Sequence, residues 1–119
     1  MSFDWREYLG LALHLQGQQG NATQEASLRS SVSRAYYAAY CYARNHARDQ
    51  LGFIPTNSAK DHYRLRKHFI KYKEVGIANR LDILRQWRND CDYDDVVSNI
   101  SKLCSNTIKE AKKVIGKFT

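Results

Sequence analysis

The sequence predicts an all-α protein, an antiparallel up-and-down bundle of about five helices. Chain breakers are scarce, with one proline, Pro55, and six glycines in 119 residues. A fold of many short strands needs more turn residues than that. Apolar residues also recur in steps of three and four along five segments, which is the period of a helix face. The 43% of residues that are hydrophobic suffice for one core, not for two. Residues 1–119 therefore read as a single helical domain.

Asp4, with Glu7 three residues on, can form a capping box for a first helix to about Gln16. Its stripe is Trp5, Leu9 and Ala12, with Tyr8 and Leu15 beside it. The stretch 16–21, QGQQGN, is a loop. Thr23 then caps a long second helix to about Leu51, and Gly52 suits its C′ position. Within it, Ala35-Tyr36-Tyr37-Ala38-Ala39-Tyr40-Cys41-Tyr42-Ala43 is apolar or amphipathic nearly all round. A helix without a polar face is surrounded by others, so this one is central. Its alanines permit close approach, and its tyrosines need partners for their hydroxyls.

After the loop 53–57, Ser58 with Asp61 opens a third helix to about Tyr72, with Leu65, Phe69 and Tyr72 facing inward. Residues 73–76 turn. The fourth helix aligns Ile77, Leu81, Leu84, Arg88 and Cys91 on one stripe. A break falls at positions 93–95, where two aspartates suit a helix N-terminus. The last helix carries Val97, Ile100, Cys104, Ile108, Ala111, Ile115 and Phe118 on one face.

The formal charge of +7 fits a phosphate-bearing partner, though ordinary proteins carry such an excess too. It is densest in residues 60–73, where Lys60, Arg64, Arg66, Lys67, Lys71 and Lys73 face Asp61 alone. Tyr63 and Tyr72 are interleaved, a pattern that can hold a nucleic-acid backbone. The bland alternative is a solvated outer face.

Cys41, Cys91 and Cys104 lack zinc spacing and read as reduced core thiols, which points to a cytoplasmic protein. The N-terminal sequence is unlike a signal peptide, and no apolar run approaches a membrane span. Asp90-Cys91-Asp92-Tyr93-Asp94 looks like the start of a calcium loop but lacks the required glycine and glutamate, so no metal is expected. There is no phosphate-binding glycine loop, and no cofactor is expected.

Arg88 is the residue that asks for a function. It stands in an apolar stripe, where a charge is costly unless paired or used. It can place positive charge on a phosphate. Asn89 and Tyr93 are the polar groups beside it, and Arg34, Tyr37 and Asp92 are candidates for a cleft or a dimer seam. Arg64, Arg66, Lys67, Lys71 and Arg85 are the nucleic-acid-binding candidates. His14, His46, His62 and His68 lie on other helices and read as structural.

Ser33-Arg34-Ala35-Tyr36-Tyr37-Ala38-Ala39-Tyr40, followed by Leu84-Arg85, Arg88-Asn89 and Asp92-Tyr93-Asp94, resembles the HEPN superfamily. The opening Phe3-Asp4-Trp5-Arg6-Glu7-Tyr8-Leu9 and the closing Ala111-Lys112-Lys113-Val114-Ile115 fit its first and last helices, so the resemblance spans nearly the whole chain. It implies a helical bundle that forms homodimers. It also implies either metal-independent endoribonucleases or inactive relatives, in prokaryotic toxin–antitoxin and defence systems. Some members are encoded beside a nucleotidyltransferase partner protein. Active members carry an arginine, a polar residue and a histidine. Arg88 and Asn89 match the first two, while positions 93–95 hold Tyr, Asp and Asp. The expected function is therefore a dimeric RNA-, nucleotide- or partner-binding component without strong catalysis. The alternatives are an endoribonuclease using Arg88, with Tyr93 or an aspartate as its partner, and a purely structural adaptor.

Overall fold

Five helices surround and include one buried central helix in the computed structural model, which describes residues 2–17 and 24–119. They are α1 (Arg6–Gln16), α2 (Gln24–Gln50), α3 (Asp61–Lys71), α4 (Val75–Tyr93) and α5 (Ile100–Lys117). Among the described residues there is no strand, and no helix is long and apolar enough to cross a membrane. The expected all-α helical bundle is thus the observed one. The expected loop at 18–21 and the cap at Thr23 lie outside the described residues.

The central helix is α2, which touches each of the other four. Ala35, Ala38, Ala39, Ala43 and Ala47 are all fully buried, and their small side chains let neighbouring helices come close. Val32, Tyr36, Leu65, Phe69, Leu81, Leu84 and Val114 fill the core around them. Buried Ser31 ties three helices together. Its hydroxyl donates to the Ala12 carbonyl of α1 at 2.6 Å and accepts from Cys104 Sγ of α5 at 3.2 Å. All three cysteines are buried free thiols, and burial raises the thiols of Cys41 and Cys91 to about 11.

Gly52 ends α2 as expected, with φ of 69°, a conformation that favours glycine. The Phe53 N–H then returns to the Ala47 carbonyl at 3.1 Å and Phe53 enters the core.

The helix starts depart from expectation in four places. Asp4 accepts the Arg6 N–H at 3.0 Å and pairs with the Arg6 guanidinium at 2.8 Å, so it is engaged by Arg6 and α1 opens at Arg6. Ser58 and Asp61 form no capping box. Asp61 turns back to the preceding loop, α3 opens at Asp61, and Tyr72 ends up 45% exposed, not inward. The fifth helix opens at Ile100, after Val97, with Asn99 left-handed before it. Arg29 supplies the reason. Its guanidinium donates to the carbonyls of Cys91, Asp94 and Asp95 at 3.0, 2.6 and 3.2 Å. A helix starting at 94 or 95 would offer the carbonyls of Asp94 and Asp95 to N–H groups four residues on. Held by Arg29, they close the end of α4 instead. The fourth helix also opens a residue early, at Val75, inside the expected turn.

Asp61 is 3% exposed and carries a carboxylate. Burial works against that charge. The Thr56 hydroxyl (2.5 Å) and N–H (2.9 Å), the Arg64 guanidinium (2.8 Å) and the Asn57 N–H (3.0 Å) outweigh it and hold the carboxyl at about 2. Its folded pKa lies below the unfolded value near 3.8, so its stabilisation is complete above about pH 4 and drains away toward about pH 2. Asp61→Ala is expected to cost about 1–3 kcal/mol in urea unfolding at pH 7, by leaving its buried donors unmatched. The variant should also lose part of the wild-type acid sensitivity between pH 4 and 2. Equal stability of the two proteins at pH 7 would contradict this.

Candidate functional site

The tyrosines of α2 set up the site. Tyr36 is 1% exposed, and its hydroxyl meets His62 Nδ1 of α3 in a hydrogen bond. The imidazole lies flat on Tyr40, with ring centroids 4.0 Å apart and planes 12° apart, and Tyr37 meets it edge-on at 6.1 Å. Burial disfavours the charged form of both groups. It pushes the Tyr36 phenol well above its ordinary value and pulls His62 down to about 4.

Arg88 of α4 closes over this aromatic floor. Its guanidinium carbon is 5.5 Å from the Tyr36 ring centre and 5.4 Å from that of Tyr37, a cation–π arrangement on two rings. Its side chain is 15% exposed, so the sequence position in the apolar stripe corresponds to a half-buried charge. Its one carboxylate partner is Asp92, one turn on, at 3.3 Å.

Two further guanidinium groups join it. Arg66 of α3, 15% exposed, donates to the His62 carbonyl at 3.2 Å and stands 3.7 Å from Asp82. Arg85 of α4 reaches the same Asp82 at 3.1 Å. After burial, Arg88 and Arg66 are the main influences depressing the His62 pKa, with Arg85 adding a smaller push in the same direction. Three cations thus face Asp82 and Asp92, while Asp61, paired with Arg64, acts on the imidazole in the opposite direction. Among the described residues, the side-chain nitrogens that are shut off from solvent without a hydrogen-bond partner are Nε of Arg85 and Nε of Arg88. A buried donor left unmatched costs about 1–3 kcal/mol. A local excess of positive charge is suited to an oxyanion such as a phosphate.

The other candidates divide. Asp92 and Tyr37 are in the site, as partner and floor of Arg88. Asn89 is half-buried beside Arg88 on α4, whereas Tyr93 is 75% exposed at the end of that helix. Arg34 lies elsewhere, with its guanidinium carbon 5.2 Å from the Tyr8 ring centre on the side of α1. Arg64 is committed to Asp61 and to the Ile54 carbonyl, at 2.8 and 3.1 Å. Lys67 and Lys71 are exposed on α3. His46 stacks on Phe118, with centroids 4.2 Å apart, remote from this cluster in its contacts.

His62 and Tyr36 were not singled out by the sequence reading. The helical spacings His62 to Arg66 and Arg85 to Arg88 put each pair on one face. What the spacing does not give is the crossing of α3 over α4 that brings the two faces together. No protein family, curated protein or solved structure compared with the chain matches it.

The titration of His62 tests this geometry. Proton NMR should show one imidazole that stays neutral down to about pH 4, and Arg88→Gln should raise its pKa by removing a nearby positive charge. The folded pKa lies below the unfolded value near 6.5, so the stability contribution is complete above that value and drains as pH falls to about 4. A His62 resonance titrating near 6.5 would mean that the imidazole is not enclosed as described.

Proposed function

We propose that this chain is a HEPN-like protein that binds the phosphate of RNA or of a nucleotide between Arg66, Arg85 and Arg88, without strong catalysis. In this reading it serves a prokaryotic toxin–antitoxin or defence-type system. The observation that carries the binding part is the meeting of three guanidinium groups, two of them with a buried, unmatched Nε. Three guanidinium groups against Asp82 and Asp92 leave a positive excess that a phosphate can neutralise, since one phosphate accepts from several guanidinium groups at once.

A second reading, metal-independent RNA cleavage, is favoured by His62. The motif that the resemblance implies lacks its histidine at positions 93–95, yet α3 brings a neutral imidazole to the arginines. A neutral imidazole can take a proton from a 2′-hydroxyl, but at a pKa of about 4 it is a weak base, which keeps cleavage the second reading.

Binding of AMP and of short RNA at low salt, followed by calorimetry, separates the readings. Wild-type protein is expected to bind both, and Arg88→Ala to weaken binding about tenfold or more. Products ending in 2′,3′-cyclic phosphate, insensitive to EDTA and lost in His62→Ala, would favour cleavage. Absence of any binding at low salt would leave a structural adaptor. The resemblance also carries a homodimer, with a nucleotidyltransferase as a further partner. Sedimentation showing only monomer at micromolar concentration would remove the dimer and leave the phosphate site standing.

A further inference from the structure

Two open clefts run along α3, and Arg66 of the phosphate site lines one of them. One, of about 430 Å³, has Phe53, Ile54, Tyr63, Lys67 and Lys71 in its walls. The other, of about 240 Å³, has Tyr63, Arg66, Lys67 and Asn79. Tyr63 and Lys67 belong to both, so they form the ridge between them. Arg66 belongs both to the second cleft and to the arginine cluster at His62.

The chemistry of that ridge is specific. Tyr63 is 54% exposed, and Arg66 and Lys67 stand over its ring at 5.8 and 5.6 Å from the centre, so a stacking base has to share the ring with them or displace one. Ile54, 74% exposed, offers apolar surface across the first cleft. Lys67 and Lys71 stand one turn apart, about 6 Å along the helix axis. In these two clefts the charged side chains are Arg64, Arg66, Lys67 and Lys71 against Asp82 alone, and Asp82 is already shared by Arg66 and Arg85. An exposed ring between rows of cations is the arrangement by which proteins hold single strands, with bases on the ring and phosphates on the cations. A duplex hides its base faces and cannot use Tyr63.

We propose that the ligand is a single-stranded polynucleotide of about three or four nucleotides or more, with one phosphate at Arg66, Arg85 and Arg88, an adjacent base stacked on Tyr63, and later phosphates at Lys67 and Lys71. This rests on the phosphate-site reading above and extends it from a single phosphate to a strand. The path runs from the half-buried cluster outward over the ridge to the exposed lysines.

The test is calorimetry on the intact protein at low salt, with AMP and with single-stranded oligoadenylates of two to eight nucleotides, against a duplex of matched length. Affinity is expected to rise over the first few nucleotides and then level off. Tyr63→Ala should weaken the longer strands at least fivefold while binding of ribose 5-phosphate, which carries no base, stays unchanged. Lys67→Gln should flatten the dependence of log affinity on log salt by about 0.7 for the strand. If AMP binds in an Arg88-dependent way but added length or Tyr63→Ala changes nothing, the strand path is wrong and the phosphate site stands. Equal affinity for the duplex, unaffected by Tyr63→Ala, also overturns it. If neither AMP nor oligomer binds, the phosphate site itself fails.

Discussion

The polar ends of the α2 tyrosines have to be satisfied inside the bundle, and the arrangement of the rest follows from that. Packed by α1, α3, α4 and α5, α2 buries Tyr36 and Tyr40, while Tyr37 and Tyr42 stay half-buried. Tyr36 is the extreme case, 1% exposed, and an unmatched hydroxyl there would cost roughly 1–3 kcal/mol. His62 answers it from α3, and the stacking of Tyr40 on the same imidazole fixes the ring plane. Once His62 is so placed, the following turn of α3 carries Arg66 to the same spot. The two tyrosine faces left open toward α4 are then an electron-rich floor, and Arg88 lies on them.

That sequence of constraints explains how a charge survives in an apolar stripe. Ile77, Leu81, Leu84 and Cys91 are buried as the helical period requires, while Arg88 points the same way with its side chain 15% exposed. The aromatic faces stabilise the guanidinium by about 0.5–2 kcal/mol, and Asp92 adds a smaller share. Neither reaches the Nε, which is shut off from solvent and unmatched. The position is tolerated without being optimised, and Arg85 repeats the pattern one turn earlier.

Legibility in the sequence followed the range of the forces involved. The helices are local periodicities, and so α2 was readable as central from its alanines, and Gly52 as its terminator. Helix starts were less readable because distant groups decide them. Arg29, in α2, takes the carbonyls of Asp94 and Asp95 and delays α5 to Ile100. Asp61 serves the loop before it, where Thr56 and Asn57 offer donors, so it builds no capping box. The same limit applies at the site. Arg88 was readable from spacing within its segment, and Tyr37 and Asp92 were named as cleft or dimer candidates. His62 was not, because its meaning depends on α3 crossing to face Tyr36, a contact between residues 26 apart.

What separates a functional cluster from a structural one here is the imbalance of its parts. Structural arginines in this chain are closed systems. Arg29 has Glu25 and three carbonyls, and Arg64 has Asp61 and the Ile54 carbonyl. Each donates where its neighbours accept, and each holds two parts of the chain together. Arg66, Arg85 and Arg88 share two carboxylates and leave buried donors idle, and two of those three sit on one helix. A cluster built only for stability would gain by replacing one of the three with an apolar residue, since removing an unmatched buried group removes its desolvation cost. The positive excess gains in the other direction when an anion arrives, because one phosphate can accept from several guanidinium groups at once. The aromatic floor fixes Arg88 in advance, so little side-chain freedom remains to be lost on binding.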